Sequence, residues 1–375
     1  MTGTRFAPPP GSDATEPPES RGVARDQVRL LVARPDGVRH ARFADLADQL
    51  RPGDLVVVNT SATLPAALDV TLPDGSSRVL HVAGPAGDGT WVVELRRPDG
   101  SGPDPAARAG LRLELPGGVR LELCASYPVA GADASRLWRA AGPTPPLHPY
   151  LAAHGRPVTY GYLSRPRPLA DYQTVYAAEP GSAEMASAGR PFSAALLIRL
   201  MARGIPVVPV VLHAGLSSPE LHEPPTPERF AVPEVTARLV TGTRAAGGRI
   251  VAVGTTVVRA LESATDHTGT TRAARGWTDL VLGPDRPARV VTGLVSGLHD
   301  PQASHLRLLD AVAGADLVDA AYRAAVADRY LWHEFGDSTL LLPALSDPRA
   351  VRGCTPSAAL PVPEGNGSAA SGGVS

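Results

Sequence analysis

Gly248-Arg-Ile-Val-Ala-Val-Gly-Thr-Thr-Val-Val-Arg-Ala-Leu-Glu-Ser263 is the stretch on which the fold turns. Ile250 to Val253 form a short apolar run that suits a strand buried on both faces, and Gly254 ends it. Thr255 or Thr256 can cap a following helix, whose apolar positions Val257, Val258 and Leu261 leave Arg259 and Glu262 on another side, three residues apart and able to meet. Such a strand, turn and helix aim backbone N–H groups and hydroxyls beyond the strand's carboxyl end, a good place for a polar ligand. The same pattern also occurs in α/β cores that bind nothing, and it lacks the spacing of a G-x-G-x-x-G turn or a phosphate loop.

Outward from this stretch the pattern alternates between strand and helix. Upstream, Val207 to Leu212 reads as a strand preceded by a helix at Ser193 to Arg203, and Pro233 to Ala246 as a helix. Nearer the amino terminus, Val28 to Val32 and Asp54 to Val58 read as strands around a helix at Phe43 to Leu50. Downstream, a helix is expected at about Asp316 to Tyr330. Between Leu68 and Tyr127 the rhythm changes to short alternating strands with Pro-Asp-Gly and Gly-Asp-Gly turns, which marks a small all-β insert. The expected organisation is a disordered arm at 1–22, a discontinuous α/β domain at 23–67 and 143–342, the β insert at 68–142 and a disordered tail at 343–375.

Composition narrows the chemistry. The formal net charge of -1 implies no globally basic nucleic-acid surface. No lysine occurs, which excludes lysine Schiff bases and lysine-dependent phosphate loops. The two cysteines, Cys124 and Cys354, give neither a disulfide framework nor a cysteine metal site. No run approaches membrane-spanning length and the amino terminus lacks the core of a signal peptide, so a cytoplasmic protein with no membrane partner is expected.

Asn59-Thr-Ser61 ends one expected strand, and three others end in compact polar or glycine-containing turns: His213-Ala-Gly215, Gly254-Thr-Thr256 and Leu298-His-Asp300. If these strands are neighbours in one sheet, the turns converge on one rim. Each histidine taken alone is more often structural, and Asn59 more often closes a turn.

At these residues the chain resembles the S-adenosylmethionine:tRNA ribosyltransferase-isomerase family of queuosine biosynthesis. Ile250-Val-Ala-Val-Gly-Thr-Thr256 with Arg259 and Leu-Glu-Ser263 is close to identical to the family's most specific motif. Asp171-Tyr-Gln-Thr-Val-Tyr-Ala177, Glu179-Pro-Gly181, Ala188-Gly189 and Phe192 match its central motif. Leu212-His213 with Gly215, Leu298-His-Asp-Pro301 and Phe335-Gly-Asp337 match more weakly. The resemblance implies an irregular α/β barrel-like main domain carrying an inserted small all-β domain. It also implies transfer of the ribosyl part of S-adenosylmethionine to the aminomethyl group of a deazaguanine base in tRNA, giving epoxyqueuosine, adenine and methionine. Such chemistry needs a base beside the sulfonium and help for the departing adenine. No metal and no cofactor are expected, S-adenosylmethionine being a substrate, and the chain is expected to act as a monomer.

Carried onto this sequence, the catalytic candidates are His213, His299, Arg259 and Glu228. The substrate-binding candidates are Asn59, Tyr172, Gln173, Tyr176, Ser187, Gly189, Phe192, Gly215, Gly254, Thr255, Thr256 and Glu262.

The departures are specific. The family's Asn-Asp-Thr-Arg becomes Asn59-Thr-Ser-Ala62, Pro-Ala-Arg becomes Pro65-Ala-Ala67, and the histidine of Thr-Ala-Gly-Leu-His-Phe is replaced by Pro191. The His-Ser-Glu motif shrinks to Thr226-Pro-Glu228. Lost arginines weaken the case for tRNA, because phosphate contacts supply much of nucleic-acid affinity. Two alternatives therefore stand beside the family reaction: a small-molecule acceptor, or a non-catalytic paralogue that keeps the pocket.

Overall fold

The computed structural model describes residues 6–129, 135–142, 145–217, 225–301 and 303–345. The chain opens with β1 (Arg29–Arg34), β2 (Gly37–Arg42), a single turn α1 (Leu46–Gln49), β3 (Leu55–Asn59) and β4 (Ser61–Thr63). Six strands follow: β5 (Ala67–Thr71), β6 (Ser77–Pro85), β7 (Trp91–Arg96), β8 (Arg112–Glu114), β9 (Arg120–Tyr127) and β10 (Leu137–Ala141). The remainder runs α2 (Leu147–His154), β11 (Glu179–Ser182), α3 (Ala194–Ala202), β12 (Val207–Leu212), β13 (Glu228–Val232) and α4 (Glu234–Ala245). It closes with β14 (Ile250–Val253), α5 (Thr255–Ser263), β15 (Ala274–Thr278), β16 (Gly293–Ser296), α6 (His305–Ala313), α7 (Ala315–Ala327) and β17 (Ser338–Leu341).

A nine-stranded sheet in the order β15-β13-β12-β3-β14-β16-β17-β1-β2 forms the body. Its centre is parallel, β12 with β3, β3 with β14 and β14 with β16, while β17 runs antiparallel to β16. Alternate residues of the central strands serve opposite faces. Leu55, Val57, Ile250 and Ala252 pack with Val257, Val258 and Leu261 of α5 and the buried faces of α4, α6 and α7. Val56, Val58, Val251 and Val253 pack with Phe43, Phe192, Leu196 and Leu200 on the other side. Burial of both faces is why these strands read as unbroken apolar runs.

Strands β5 to β10 close into a barrel in the order β10-β7-β6-β5-β8-β9, around Leu68, Leu80, Val93 and Leu123. Asp74 and Asp88 shape two of its turns by accepting from the backbone N–H groups of Ser76 and Thr90, 2.9 and 3.0 Å away. The chain enters this barrel after β4 and re-enters the body at β11, and β4 and β11 pair in parallel. A barrel-like main domain is not the observed arrangement: the main sheet has two edges, β15 and β2, and the closed barrel is the small all-β unit. The closing strand β10 pairs with both β7 and β9. Helix α2 begins at Leu147, just inside the α/β segment expected from residue 143.

The arm expected at 1–22 is ordered where it is described. Trp332 and residues Ser12 and Ala14 exchange backbone hydrogen bonds, Phe6 lies against Trp332 and Tyr322, and Glu19 pairs with the buried Arg190. Its prolines and acidic residues suit an extended segment held by ion pairs, which composition alone does not distinguish from disorder. Residues 1–5, and all of the expected tail beyond 345, lie outside the described residues. No helix among the described residues is long and apolar enough to cross a membrane.

Candidate active site

Because β14 and β16 are parallel and β17 runs the other way, the carboxyl ends of the first two and the segment entering β17 share one rim. A cleft of about 620 Å³ opens there. Its floor is Gly254-Thr-Thr256 after β14 and Ser296 to Asp300 after β16; its walls come from Glu184 to Ala188, from His333-Glu334, and from His81, Glu94 and Arg96 of the barrel.

Gly254 has φ of 91°, a conformation that favours glycine, and the helix α5 begins at Thr255. Thr256 Oγ1 accepts from Asn59 Nδ2 at 3.3 Å, so the threonine pair is tied to the end of β3. Asn59 itself is fully engaged. Its Oδ1 accepts from Leu212 N and Ser61 N at 3.0 and 3.1 Å, and its Nδ2 donates to Leu212 O at 2.8 Å. Asn59 closes a turn and clamps β3 to β12, and it is not among the lining residues of the cleft.

His299 lines the cleft, with Nε2 2.9 Å from Ser296 Oγ and its ring stacked on His305 at 4.7 Å. Burial, with the charges of His305 and His333 next, pushes its pKa well below the ordinary histidine value, so the ring is neutral. Arg259 faces the cleft and is held on all sides: it pairs with Glu228 and donates to Leu280 O at 3.2 Å and Thr278 O at 3.1 Å. The expected Arg259–Glu262 pair is therefore not made. Glu262 instead accepts from the backbone N–H groups of Arg289, Val290 and Val291, at 2.9, 2.9 and 3.0 Å, and anchors the approach to β16 away from the cleft. The partner of Arg259 is Glu228, remote in sequence, which no helical spacing reveals.

His213 does not join the cleft. It lines a smaller pocket with His148, Gly215, Thr226, Arg229 and Trp277, and Glu228 forms part of both walls. Ser61 Oγ lies 2.8 Å from His213 Nδ1, and a Cβ on Gly181 would meet that nitrogen at 2.2 Å. Burial, then Arg229 and His148, lowers the imidazole to about 4. Gly215 donates its N–H to Glu228 at 3.0 Å.

Of the other candidates, Ser187 lines the cleft. Tyr172, Gln173, Tyr176, Gly189 and Phe192 do not. Gln173 clamps Thr63 through two hydrogen bonds of 3.0 and 2.8 Å, and Tyr172 packs on Phe335. Phe192 sits edge-on to Phe43 and Tyr176, and a Cβ on Gly189 would fall 2.2 Å from the Tyr176 hydroxyl. These positions build the wall behind the site. Pro191 is buried and is also outside the lining.

Several lining residues carried no sequence signal: His305, His333, Glu334, Glu184, Tyr160 and Tyr162. Glu334 stands beside the Phe335-Gly-Asp337 motif, and that adjacency was the one available clue. Burial raises Glu184, Glu228 and Glu334 above the usual carboxyl range, Glu334 to about 7. Among the described residues no group of three or more His, Cys, Asp or Glu is placed to hold a metal ion. Chemically the cleft offers neutral imidazoles, hydroxyls at a helix start and buried carboxyls, a setting for proton transfer near a cation.

A profile of the family described as "Queuosine biosynthesis protein" matches residues 3–341. The chain is 33% identical over 350 residues to the S-adenosylmethionine:tRNA ribosyltransferase-isomerase of Pelotomaculum thermopropionicum, covering 85% of this chain and 94% of that one. It is 35% identical over 343 residues to the protein of that name from Symbiobacterium thermophilum, covering 85% and 94%. With the Thermus thermophilus protein of that name it shares 36% identity over 344 residues, covering 87% and 97%.

Proposed function

The chain belongs to the queuosine biosynthesis protein family, and from that premise we propose that it is an S-adenosylmethionine:tRNA ribosyltransferase-isomerase. It transfers and isomerises the ribosyl part of S-adenosylmethionine onto 7-aminomethyl-7-deazaguanine in tRNA, giving epoxyqueuosine and releasing adenine and methionine. A tRNA acceptor sets the reaction in the cytoplasm. The family's two-part plan is supported by the way the chain leaves the body after β4 and returns at β11.

One observation carries the reading. Ser187, Gly254-Thr-Thr256 and His299, distant in sequence, line a single cleft that also holds buried carboxyls. The positive charge of the sulfonium acidifies the carbon-bound hydrogens next to it, so a neutral base can remove one. His299 fits that task, being kept neutral by burial and positioned by Ser296. Thr255 and Thr256, at the amino end of α5, orient polar groups of the donor. Arg259 is a positioning residue, holding Glu228 at the cleft wall. His213 is assigned to the wall between β4 and β12, not to proton transfer. Pro191 leaves no proton carrier at its own position, while His299, His305 and His333 supply imidazoles inside the cleft.

The test is adenine release from S-adenosylmethionine, followed with and without tRNA bearing the aminomethyl-deazaguanine base. Release that depends on this tRNA is expected. Release supported only by a small-molecule acceptor, or binding of the nucleoside with no release under any condition, would reject the reading.

A further inference from the structure

One wall of the cleft is built unlike the rest. The rings of Tyr160 and Tyr162 stack with centroids 5.6 Å apart and planes 11° from parallel. His333 stacks on the other side of Tyr162 at 4.4 Å and 12°. His333 has φ of 68°, which a non-glycine residue adopts at a cost, and its Nε2 lies 3.1 Å from Asp13 Oδ1 of the amino-terminal arm. That strained backbone carries Glu334 into the cleft, where its Oε2 is buried and has no hydrogen-bond partner. Glu184 faces the same Tyr160, with its two oxygens taken by Ser217 N and Oγ at 3.1 and 2.6 Å.

A buried carboxylate oxygen without a partner is costly, and structures keep such atoms where a ligand completes them. Aromatic faces beside carboxylates favour weakly hydrated cations over ammonium-sized point charges in water. We propose that Tyr160, Tyr162, His333 and Glu334 form the subsite for the sulfonium of S-adenosylmethionine, with Glu334 as its counter-charge and the Tyr162 ring against its methyl-bearing face. This assignment rests on the proposed function and adds to it residues outside the family-like motifs. Burial raises both Glu334 and Glu184, which is the state expected of carboxyls waiting for a cation. The subsite also gives the arm at 6–22 a purpose, since Asp13 and the bonds to Trp332 hold the segment that presents Glu334.

The experiment is calorimetric binding of S-adenosylmethionine and of S-adenosylhomocysteine, which differs by having a neutral thioether, to wild type, Glu334→Gln and Tyr162→Leu. Wild type should prefer the sulfonium by about tenfold, and Glu334→Gln should remove most of that preference while changing S-adenosylhomocysteine affinity less than about threefold. Tyr162→Leu should cut the preference by about threefold, and it decides the matter should Glu334→Gln not fold. An unchanged preference in the folded variants overturns the subsite alone. Equal weakening of both nucleosides assigns Glu334 to the ammonium they share and likewise overturns it. A wild type that takes up neither nucleoside overturns the subsite together with the functional reading.

Discussion

Two histidines occupy matching places in the sequence, each just past an apolar run that becomes a strand, yet they end in different surroundings. His299 follows β16 and faces an open cleft beside Ser296 and His305. His213 follows β12 and is packed against Gly181 and bonded to Ser61, in a smaller pocket. Glu228 contributes to the walls of both, and its partner Arg259 lines only the cleft of His299. The lesson is that a polar strand end opens onto a cleft only where its neighbours leave space. Ser61 of β4 and Gly181 of β11 pack on His213, whereas His299 lines the wide cleft.

The sharpest way to break the comparison is to delete each imidazole. His299→Ala should lower adenine release on the order of a thousandfold, the loss typical of a general base, while His213→Ala should change it less than about tenfold. Equal losses in the two variants would erase the distinction.

The partition between the regions comes next. Arg259→Met leaves Glu228 buried without its cation and should cost about 3 kcal/mol in denaturant unfolding. Pairing it with Glu228→Gln should recover part of that loss. A single variant as stable as wild type would mean the pair contributes nothing to the wall.

A smaller effect belongs to Asn59→Ala, which strands the backbone groups of Leu212 and Ser61 and should cost about 2 kcal/mol. The measurement is again unfolding, with nucleoside affinity as a second reading, because the variant also frees Thr256.

The smallest effects are pH slopes of opposite sign. His213 binds its proton near pH 4 in the folded chain and near 6.5 when unfolded, so stability falls as pH drops from about 6.5 to 4. Partial exposure limits this to about 1 kcal/mol, and His213→Asn should flatten the slope. Glu334 is raised from 4.5 to about 7, so its contribution is present below 4.5 and is lost as pH rises through 7. Glu334→Gln should remove that alkaline loss without touching the acid one.

The central strands were legible because each is buried on both faces: the expected Val207 to Leu212 and Ile250 to Val253 coincide with β12 and β14. Strand β10, Leu-Trp-Arg-Ala-Ala, was not, since it lies beyond a stretch poor in apolar residues and closes the barrel through partners far along the chain. The same division runs through the site. Gly254-Thr-Thr256 announces itself because a glycine with positive φ and a helix start are local requirements. The pairing of Arg259 with Glu228, the burial of Glu334 Oε2 without a partner and the Tyr160–Tyr162–His333 stack depend on segments that meet only after folding.

By itself the sequence determined the family, the buried central strands, the separate all-β unit and the strand end at which donor chemistry is expected, because each rests on periodicity or on a contiguous motif. Only the tertiary structure decided that His299 faces the cleft and His213 does not, that Gln173 and Tyr172 support the wall from behind, and that the amino-terminal arm is part of the body. Contiguous motifs record what the backbone must do locally. Which side chains share a cavity is set by strand order and by what packs over each strand's end, and neither quantity is written in any single stretch of residues.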